Sequence, residues 1–205
     1  LRRGGDRRMS LLIKICGLGD EQQVAAAVAA GADAIGFVFA ESVRKITPQR
    51  ARAISQDVPA SVRRVAVMLH PGNDEWQEVL EAFQPDVLQT DAKDFDVLDV
   101  PDTIERWPVL REGQALHTTA TSYVYEGSRS GRGETVDWSA AARIARNGGM
   151  ILAGGLAPDN VADAIRTVRP MGVDVSSGVE SAAGKKDSQL INDFVNAARA
   201  AEKHL

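Results

Sequence analysis

The sequence predicts one compact α/β domain, a (β/α)8 TIM barrel, and three observations support this fold class. Short apolar segments alternate with amphipathic segments along almost the whole chain, as in parallel strands joined by helices. Eight such units can be counted, which favours a closed barrel over an open doubly wound sheet. The last two strands end in glycine-rich residues that pass into predicted helices, which is typical of the active end of such barrels.

The composition excludes several kinds of partner. The 205 residues carry a net charge of −4, which gives no reason to expect nucleic acid or an anionic membrane as partner. No apolar run approaches the roughly 18 residues of a membrane span. A single cysteine excludes an internal disulfide and predicts a cytoplasmic protein. Residues 1–10 are basic and are expected to be a disordered lead or an expression remnant, with the barrel domain over residues 11–205.

The first half of the chain contains four predicted strands, three of them followed by a helix. Each strand is a short run rich in β-branched or other apolar residues, and the first helix is rich in alanine, the best helix former. Thr47 can cap the second helix, and Pro48 suits its first position. The strands are predicted at residues 11–16, 34–39, 64–69 and 87–89, and the helices at 20–30, 48–56 and 74–83.

The second half begins with the least regular stretch. Between residues 90 and 121 the pattern predicts only a fifth strand, at 107–111, with little helical periodicity on either side. Regular alternation then resumes, and Gly148 marks the end of one helix. The remaining strands are predicted at 122–126, 150–153 and 173–175, and the helices at 139–147, 158–168 and 187–201.

Lys14 and Cys16 end the first strand and are predicted to point into the barrel. Side chains alternate across a strand, so Ile13 and Ile15 would face the helices and leave the other two inside. A cation next to a cysteine favours the thiolate, which makes this a candidate reactive site. The alternative is a buried cysteine that acts only as a small apolar side chain.

Glu126 ends the sixth strand, directly before a glycine-rich loop over residues 127–133. Alternation places Glu126 on the inner face together with Val124. An inward carboxyl group under a loop of this kind could act as a general acid. The alternative is a solvated carboxylate, paired with Arg129 or Arg132.

Two further charged residues are candidates for binding. Asp174 lies between two valines on the eighth strand and should point inward, towards Lys14 or a ligand. Arg44 follows the second strand and could bind a carboxylate through two nitrogens. His70, His117 and His204 have no metal-ligand spacing with one another or with Cys16, so we expect no metal.

Glycine-rich turns after the seventh and eighth strands predict a phosphate site. They lie in the segments Ile151-Leu-Ala-Gly-Gly-Leu-Ala-Pro-Asp-Asn-Val161 and Gly172-Val-Asp-Val-Ser-Ser-Gly-Val-Glu180. Neighbouring turns of this type bring free backbone N–H groups and helix N-termini to one place. The expected ligand is therefore a small phosphorylated substrate.

Several motifs of the chain resemble one enzyme family. They are Lys14-Ile-Cys-Gly17, Gly31-Ala-Asp-Ala-Ile-Gly-Phe-Val-Phe39, Ser42-Val-Arg-Lys-Ile46, Asp137-Trp138, Gly154-Gly-Leu156, Val173-Asp-Val-Ser-Ser-Gly-Val-Glu180 and Gly184-Lys-Lys-Asp187. Together they are similar to phosphoribosylanthranilate isomerase, a (β/α)8 enzyme of tryptophan biosynthesis. The resemblance runs from about residue 13 to the C-terminus and is strongest in the first two and last two βα units.

The resemblance implies an Amadori rearrangement without a cofactor. A general acid opens the sugar ring to a Schiff base, and a general base then removes the proton on C2′. Cys16 matches the general base, and Arg44 matches the arginine that holds the anthranilate carboxylate. Asp174, with Lys14 beside it, matches an aspartate that contacts the substrate. The phosphate site matches the backbone of Gly154, Gly155, Ser177 and Gly178.

Two positions depart from the family's pattern. The family has an aspartate as general acid eleven residues before the Asp-Trp pair, and this chain has Glu126 there. The family's Gln-Leu-His-Gly after strand four is Gln89-Thr-Asp-Ala92 here. Asp91 therefore stands in place of an imidazole and could bind a hydroxyl group or serve as a second candidate acid.

Two other functions are compatible with parts of the pattern. A histidine-pathway aminoaldose isomerase would share the barrel and the reaction type, but it has an aspartate where this chain has Cys16. A non-catalytic barrel could use the phosphate site alone. The sequence does not distinguish a monomer from a homodimer.

Overall fold

The described residues of the chain form a closed barrel of eight parallel strands, which confirms the predicted fold class. The structure is a computed structural model, and it describes residues 10–114, 120–128 and 135–204. Each strand pairs with the next, and the last strand pairs with the first. The strands are β1 (Leu12–Cys16), β2 (Ala34–Val38), β3 (Arg63–Val67), β4 (Val87–Asp91), β5 (Glu105–Arg111), β6 (Tyr123–Glu126), β7 (Met150–Leu152) and β8 (Gly172–Val175).

Six α-helices surround the barrel within the described residues. They follow β1, β2, β3, β6, β7 and β8, and most begin at a side-chain cap such as Asp20, Thr47 or Asp187. The helices are α1 (Glu21–Ala30), α2 (Pro48–Ile54), α3 (Asn73–Phe83), α4 (Trp138–Ala145), α5 (Val161–Val168) and α6 (Ser188–Glu202).

Several element bounds shift by one or two residues, as those of β3, α2, β5 and α4 do, and three further local features also differ from the sequence prediction. Strand β4 continues to Asp91 rather than ending at residue 89, and it passes into a 3-10 turn, Ala92–Asp96, where no regular element was predicted. Helix α5 begins at Val161 rather than at residue 158, because the Asn160 side chain accepts a hydrogen bond from Ala157 N (2.9 Å) and holds the preceding residues in a turn. An antiparallel hairpin of β9 (Glu180–Ala182) and β10 (Lys185–Lys186) follows β8 and was not predicted.

Alternation along the strands creates two apolar layers. The larger layer lies between the barrel and the helices and includes Ile13, Ile15 and the edge-to-face ring pair Phe37 and Phe83. The smaller layer fills the barrel interior and includes the fully buried Trp107. Because the interior is packed at its base, only the C-terminal ends of the strands are left to form a cavity.

Two sets of polar contacts hold β1 to the C-terminal part of the chain, one with β8 and one with α6. Inside the barrel, Lys14 and Asp174 are register partners on β1 and β8. At the N-terminal end of β1, Arg199 of α6 donates to the Leu11 carbonyl (2.6 Å) and to Asp33 Oδ2 (2.6 Å), and Glu202 accepts from Leu11 N (2.7 Å). Among the described residues, no helix is long and apolar enough to cross a membrane.

Candidate active site

A cavity of about 260 Å³ opens at the C-terminal ends of the strands, where barrels of this type carry their active sites. It brings together eight of the ten residues that the sequence singles out. They are Cys16, Arg44, Asp91, Glu126, Gly154, Gly155, Asp174 and Ser177. Lys14 and Gly178 do not line the cavity.

Lys14 is fully buried below the cavity, where its Nζ lies 2.7 Å from Asp174 Oδ2. Burial lowers the pKa of Lys14, but Asp174 and Cys16 outweigh it, so the pKa ends above its usual value. The ammonium group therefore stays charged and holds Asp174 in place. Direct contact between Lys14 and a substrate stays a prediction.

Cys16 ends β1 on the inner face, as alternation predicts, and lies beside Lys14. Burial raises the pKa of the Cys16 thiol, and the attraction of the Lys14 ammonium opposes this shift only in part. The thiolate that the sequence favours is thus not the preferred form at this site, since removal from water costs the anion more than the neighbouring cation returns.

Arg111 connects the carboxyl groups on the other side of the cavity. Its Nη1 lies 2.5 Å from Asp91 Oδ2, and its Nη2 lies 3.4 Å from Glu126 Oε1. Asp91 Oδ2 is also 3.5 Å from His70 Nε2. Sequence reasoning did not single out Arg111, although it shares the inward parity of Val109 on β5. Arg129 and Arg132, the alternative partners of Glu126, lie outside the described residues.

Arg44 binds a carboxylate of the protein itself. Its Nε and Nη2 donate to the two oxygens of Glu180 at 2.6 and 2.8 Å, and Lys186 Nζ donates to the same group at 2.6 Å. Burial favours the neutral acid, but the hydrogen bonds from Arg44 and Lys186 outweigh it and lower the pKa of Glu180 to about 2. Glu180 and Lys186 are within the motifs quoted above, but nothing in the sequence pairs them with Arg44.

The glycine-rich turns after β7 and β8 lie against each other. Gly154 and Gly155 have φ values of 90° and 62°, in the left-handed region that favours glycine. A Cβ on Gly178 would lie only 1.9 Å from the Leu156 carbonyl oxygen, so the absence of a side chain allows the two turns to touch. The contact positions the backbone of both turns at one edge of the cavity.

Three buried oxygens on cavity residues have no hydrogen-bond partner among the described residues. They are Gln89 Oε1, Asp91 Oδ1 and Asp174 Oδ1. Unpaired buried acceptors are costly, so they indicate a ligand rich in donors. No group of three or more His, Cys, Asp or Glu side chains that could hold a metal ion occurs in the described parts of the chain.

The fold and the site together define a (β/α)8-barrel enzyme with a thiol and carboxyl groups at the C-terminal ends of its strands. The family model for N-(5′-phosphoribosyl)anthranilate (PRA) isomerase matches residues 13–197. The chain therefore belongs to the PRA isomerase family, which confirms the family inferred from its motifs.

Individual relatives match over nearly their whole length. N-(5′-phosphoribosyl)anthranilate isomerase of Listeria monocytogenes is 37% identical, with 94% of this chain and 100% of the relative covered. The crystal structure of TrpF from Jonesia denitrificans is 36% identical, with a TM-score of 0.79 and coverage of 94% and 98%. Another PRA isomerase, crystallised with reduced 1-(o-carboxyphenylamino)-1-deoxyribulose 5-phosphate, is 29% identical, with a TM-score of 0.74 and coverage of 93% and 99%.

Proposed function

We propose that this chain rearranges N-(5′-phosphoribosyl)anthranilate to 1-(o-carboxyphenylamino)-1-deoxyribulose 5-phosphate in tryptophan biosynthesis, with Glu126 as general acid and Cys16 as general base. One observation carries the assignment of these roles. Both side chains line the same cavity, three strands apart in barrel order, between Arg44 and the paired glycine turns. The acid and the base can therefore reach different atoms of one sugar.

The cavity suits each part of this substrate. The phosphate would bind the backbone of Gly154, Gly155, Ser177 and Gly178, and the anthranilate carboxylate would bind the Nη1 side of Arg44, which Glu180 does not use. The anthranilate ring would lie against the apolar side chains of Val38, Val67 and Met68. The sugar hydroxyls would donate to Asp174 and Asp91, whose Oδ1 atoms have no other described partner.

Glu126 begins the reaction by donating a proton to the ring oxygen. The nitrogen lone pair then forms the C1′=N bond as the C1′–O bond breaks, which gives the Schiff base. Asp91, whose Oδ2 lies 2.5 Å from Arg111 Nη1, is the second candidate for this step. Because glutamate has one methylene more than the family's aspartate, Glu126 can act as the acid only if the backbone or the following loop recedes to fit it.

Cys16 completes the reaction as a thiolate that removes the proton on C2′. The electrons of the C2′–H bond form a C1′=C2′ double bond and neutralise the iminium nitrogen. The resulting enolamine takes up a proton at C1′ and loses one from its hydroxyl to give the ketone. Lys14 supports this step indirectly, because it lies beside the developing thiolate and fixes Asp174.

The fluorescence decay of freshly prepared PRA, without added metal or cofactor, tests this assignment. We expect Cys16→Ala and Glu126→Gln each to lower kcat by about 10² or more, as loss of a general base or acid does. Glu126→Asp, which keeps the carboxyl group, should retain activity and serves as the matched control. If Glu126→Gln is fully active and Asp91→Asn is inactive, the acid is on β4.

The same assay separates the alternatives. A barrel that only binds phosphorylated metabolites would bind the reduced product analogue but would not consume PRA. A histidine-pathway isomerase would instead turn over the aminoaldose substrate of that pathway. It stays a prediction that the protein is cytoplasmic and that it is a monomer or a homodimer.

A further inference from the structure

Glu180 and Lys186 of the β9–β10 hairpin form a buried charge cluster with Arg44, and these two hairpin residues have no part in the catalytic steps. Glu180 accepts hydrogen bonds from Arg44, from Lys186 and, at 3.1 Å, from Gly184 N. The side chains of Glu180 and Lys186 are only 4% and 0% exposed. Burying two cations and a carboxylate carries a large desolvation cost. Removal of any one partner is destabilising, because it leaves a buried charge without compensation. Such a cluster is therefore expected to have a specific role.

The cluster connects the two parts of the site that would bind opposite ends of the proposed substrate. Lys186 Nζ donates to the Ser176 carbonyl (3.0 Å) and to Ser176 Oγ (3.2 Å), and Ser176 Oγ donates to the Cys16 carbonyl (3.2 Å). Ser176 directly precedes the turn that contains Ser177 and Gly178. One continuous series of hydrogen bonds thus runs from Arg44 through Glu180 and Lys186 to the phosphate turn and the backbone of the base.

The cluster is also unbalanced in charge. Arg44 and Lys186 carry two positive charges, and Glu180 carries one negative charge. Arg44 is 12% exposed on its side chain and lines the cavity, so the excess charge is available there. An anionic group is the ligand that would complete the cluster.

We infer that Glu180 and Lys186 are positioning residues, which hold Arg44 and the phosphate turn at a fixed spacing for a substrate with a carboxylate at one end and a phosphate at the other. This inference rests on the proposed function. Glu180 would orient the guanidinium so that its Nη1 side faces the carboxylate. Lys186 would fix Glu180 and Ser176 to each other.

Steady-state kinetics with PRA, together with inhibition by inorganic phosphate, tests this inference. We expect Glu180→Gln to raise KM for PRA about tenfold or more, the order of one lost charged hydrogen bond, while the inhibition constant for phosphate stays within about twofold. Lys186→Met should raise both constants, because it frees the phosphate turn as well. Lys186→Arg, which can still donate to both partners, should recover part of each loss.

Lys185→Met is the matched control. Lys185 is an exposed neighbour on the same hairpin, and its loss removes the same charge without touching Glu180 or Ser176. It should leave both constants unchanged. If Glu180→Gln and Lys186→Met lower only thermal stability, or alter kcat with KM unchanged, the inference is wrong while the proposed function stands. If the unaltered protein neither consumes nor binds PRA, both fail.

Discussion

Cys16 and Lys14 occupy alternate positions of one strand, and this spacing governs how the thiol ionises. The Lys14 ammonium group pairs with Asp174 as well as attracting the thiolate. Its attraction therefore offsets only part of the rise in pKa that burial causes at Cys16. A base that is mostly protonated at rest still works, provided that the small thiolate fraction reacts quickly.

This arrangement predicts a pH dependence. Burial raises the pKa of Cys16, and iodoacetamide reacts with the thiolate, so the rate of alkylation should increase with pH up to and beyond the usual thiol pKa of about 8.5. Alkylation reports on Cys16 alone because the chain has one cysteine. The turnover rate should rise less steeply than alkylation over the same range, because Glu126 must stay protonated to act as the acid. Alkylation that is flat between pH 6 and 9 would contradict the raised pKa.

At the residue scale, alternation predicted the inward side chains well. Lys14, Cys16, Glu126 and Asp174 all point to the interior, because a strand that is buried on both faces leaves each residue only one of two directions. Their partners were harder to predict. Arg44 and Glu180 are 136 residues apart, and only the closed barrel brings them together.

At the scale of elements, the two turns after β7 and β8 form one unit. The contact of Gly178 with the Leu156 carbonyl allows both backbones to face the same ligand group. The sequence predicted the two turns but not the hairpin that follows, since β9 and β10 are three and two residues long and have no periodic pattern. Likewise, the later start of α5 depends on one Asn160 side chain rather than on the helix pattern.

Substituting Gly178 tests the contact between these turns. Gly178→Ala would place a methyl group against backbone atoms that cannot rotate away, so the turns must separate. We expect KM for PRA and the inhibition constant for phosphate to rise at least about tenfold, because several N–H groups lose their alignment.

Gly72→Ala provides the comparison for that variant, because a Cβ there meets no atom within 4 Å. It should leave the kinetic constants unchanged. Equal constants for Gly178→Ala and the unaltered protein would show that the turns can move apart without loss of phosphate binding.

For the whole molecule, closure of the barrel depends on the pairing of its first and last strands. The Lys14–Asp174 pair crosses this junction inside the barrel, where both side chains are shielded from water. The pair is therefore expected to contribute to stability as well as to the site.

Removing one partner should be more damaging than removing both. Lys14→Met leaves Asp174 as an uncompensated buried charge and should lower the free energy of unfolding by about 3–5 kcal/mol, whereas Lys14→Met with Asp174→Leu should recover most of this loss. Urea denaturation measures both variants. A single variant as stable as the unaltered protein would mean that water reaches Asp174.

Arg199 and Glu202 hold the end of α6 against Leu11, on the face of the barrel away from the cavity. Residues 10 and 204 of the described chain thus belong to the same side of the molecule, where no proposed site residue lies. A circular permutant could join these two positions through a short linker and begin instead in the exposed loop around residues 56–61. In such a protein the order of the strands in space, and with it the whole cavity, would be unchanged, although β3 would come first in the chain.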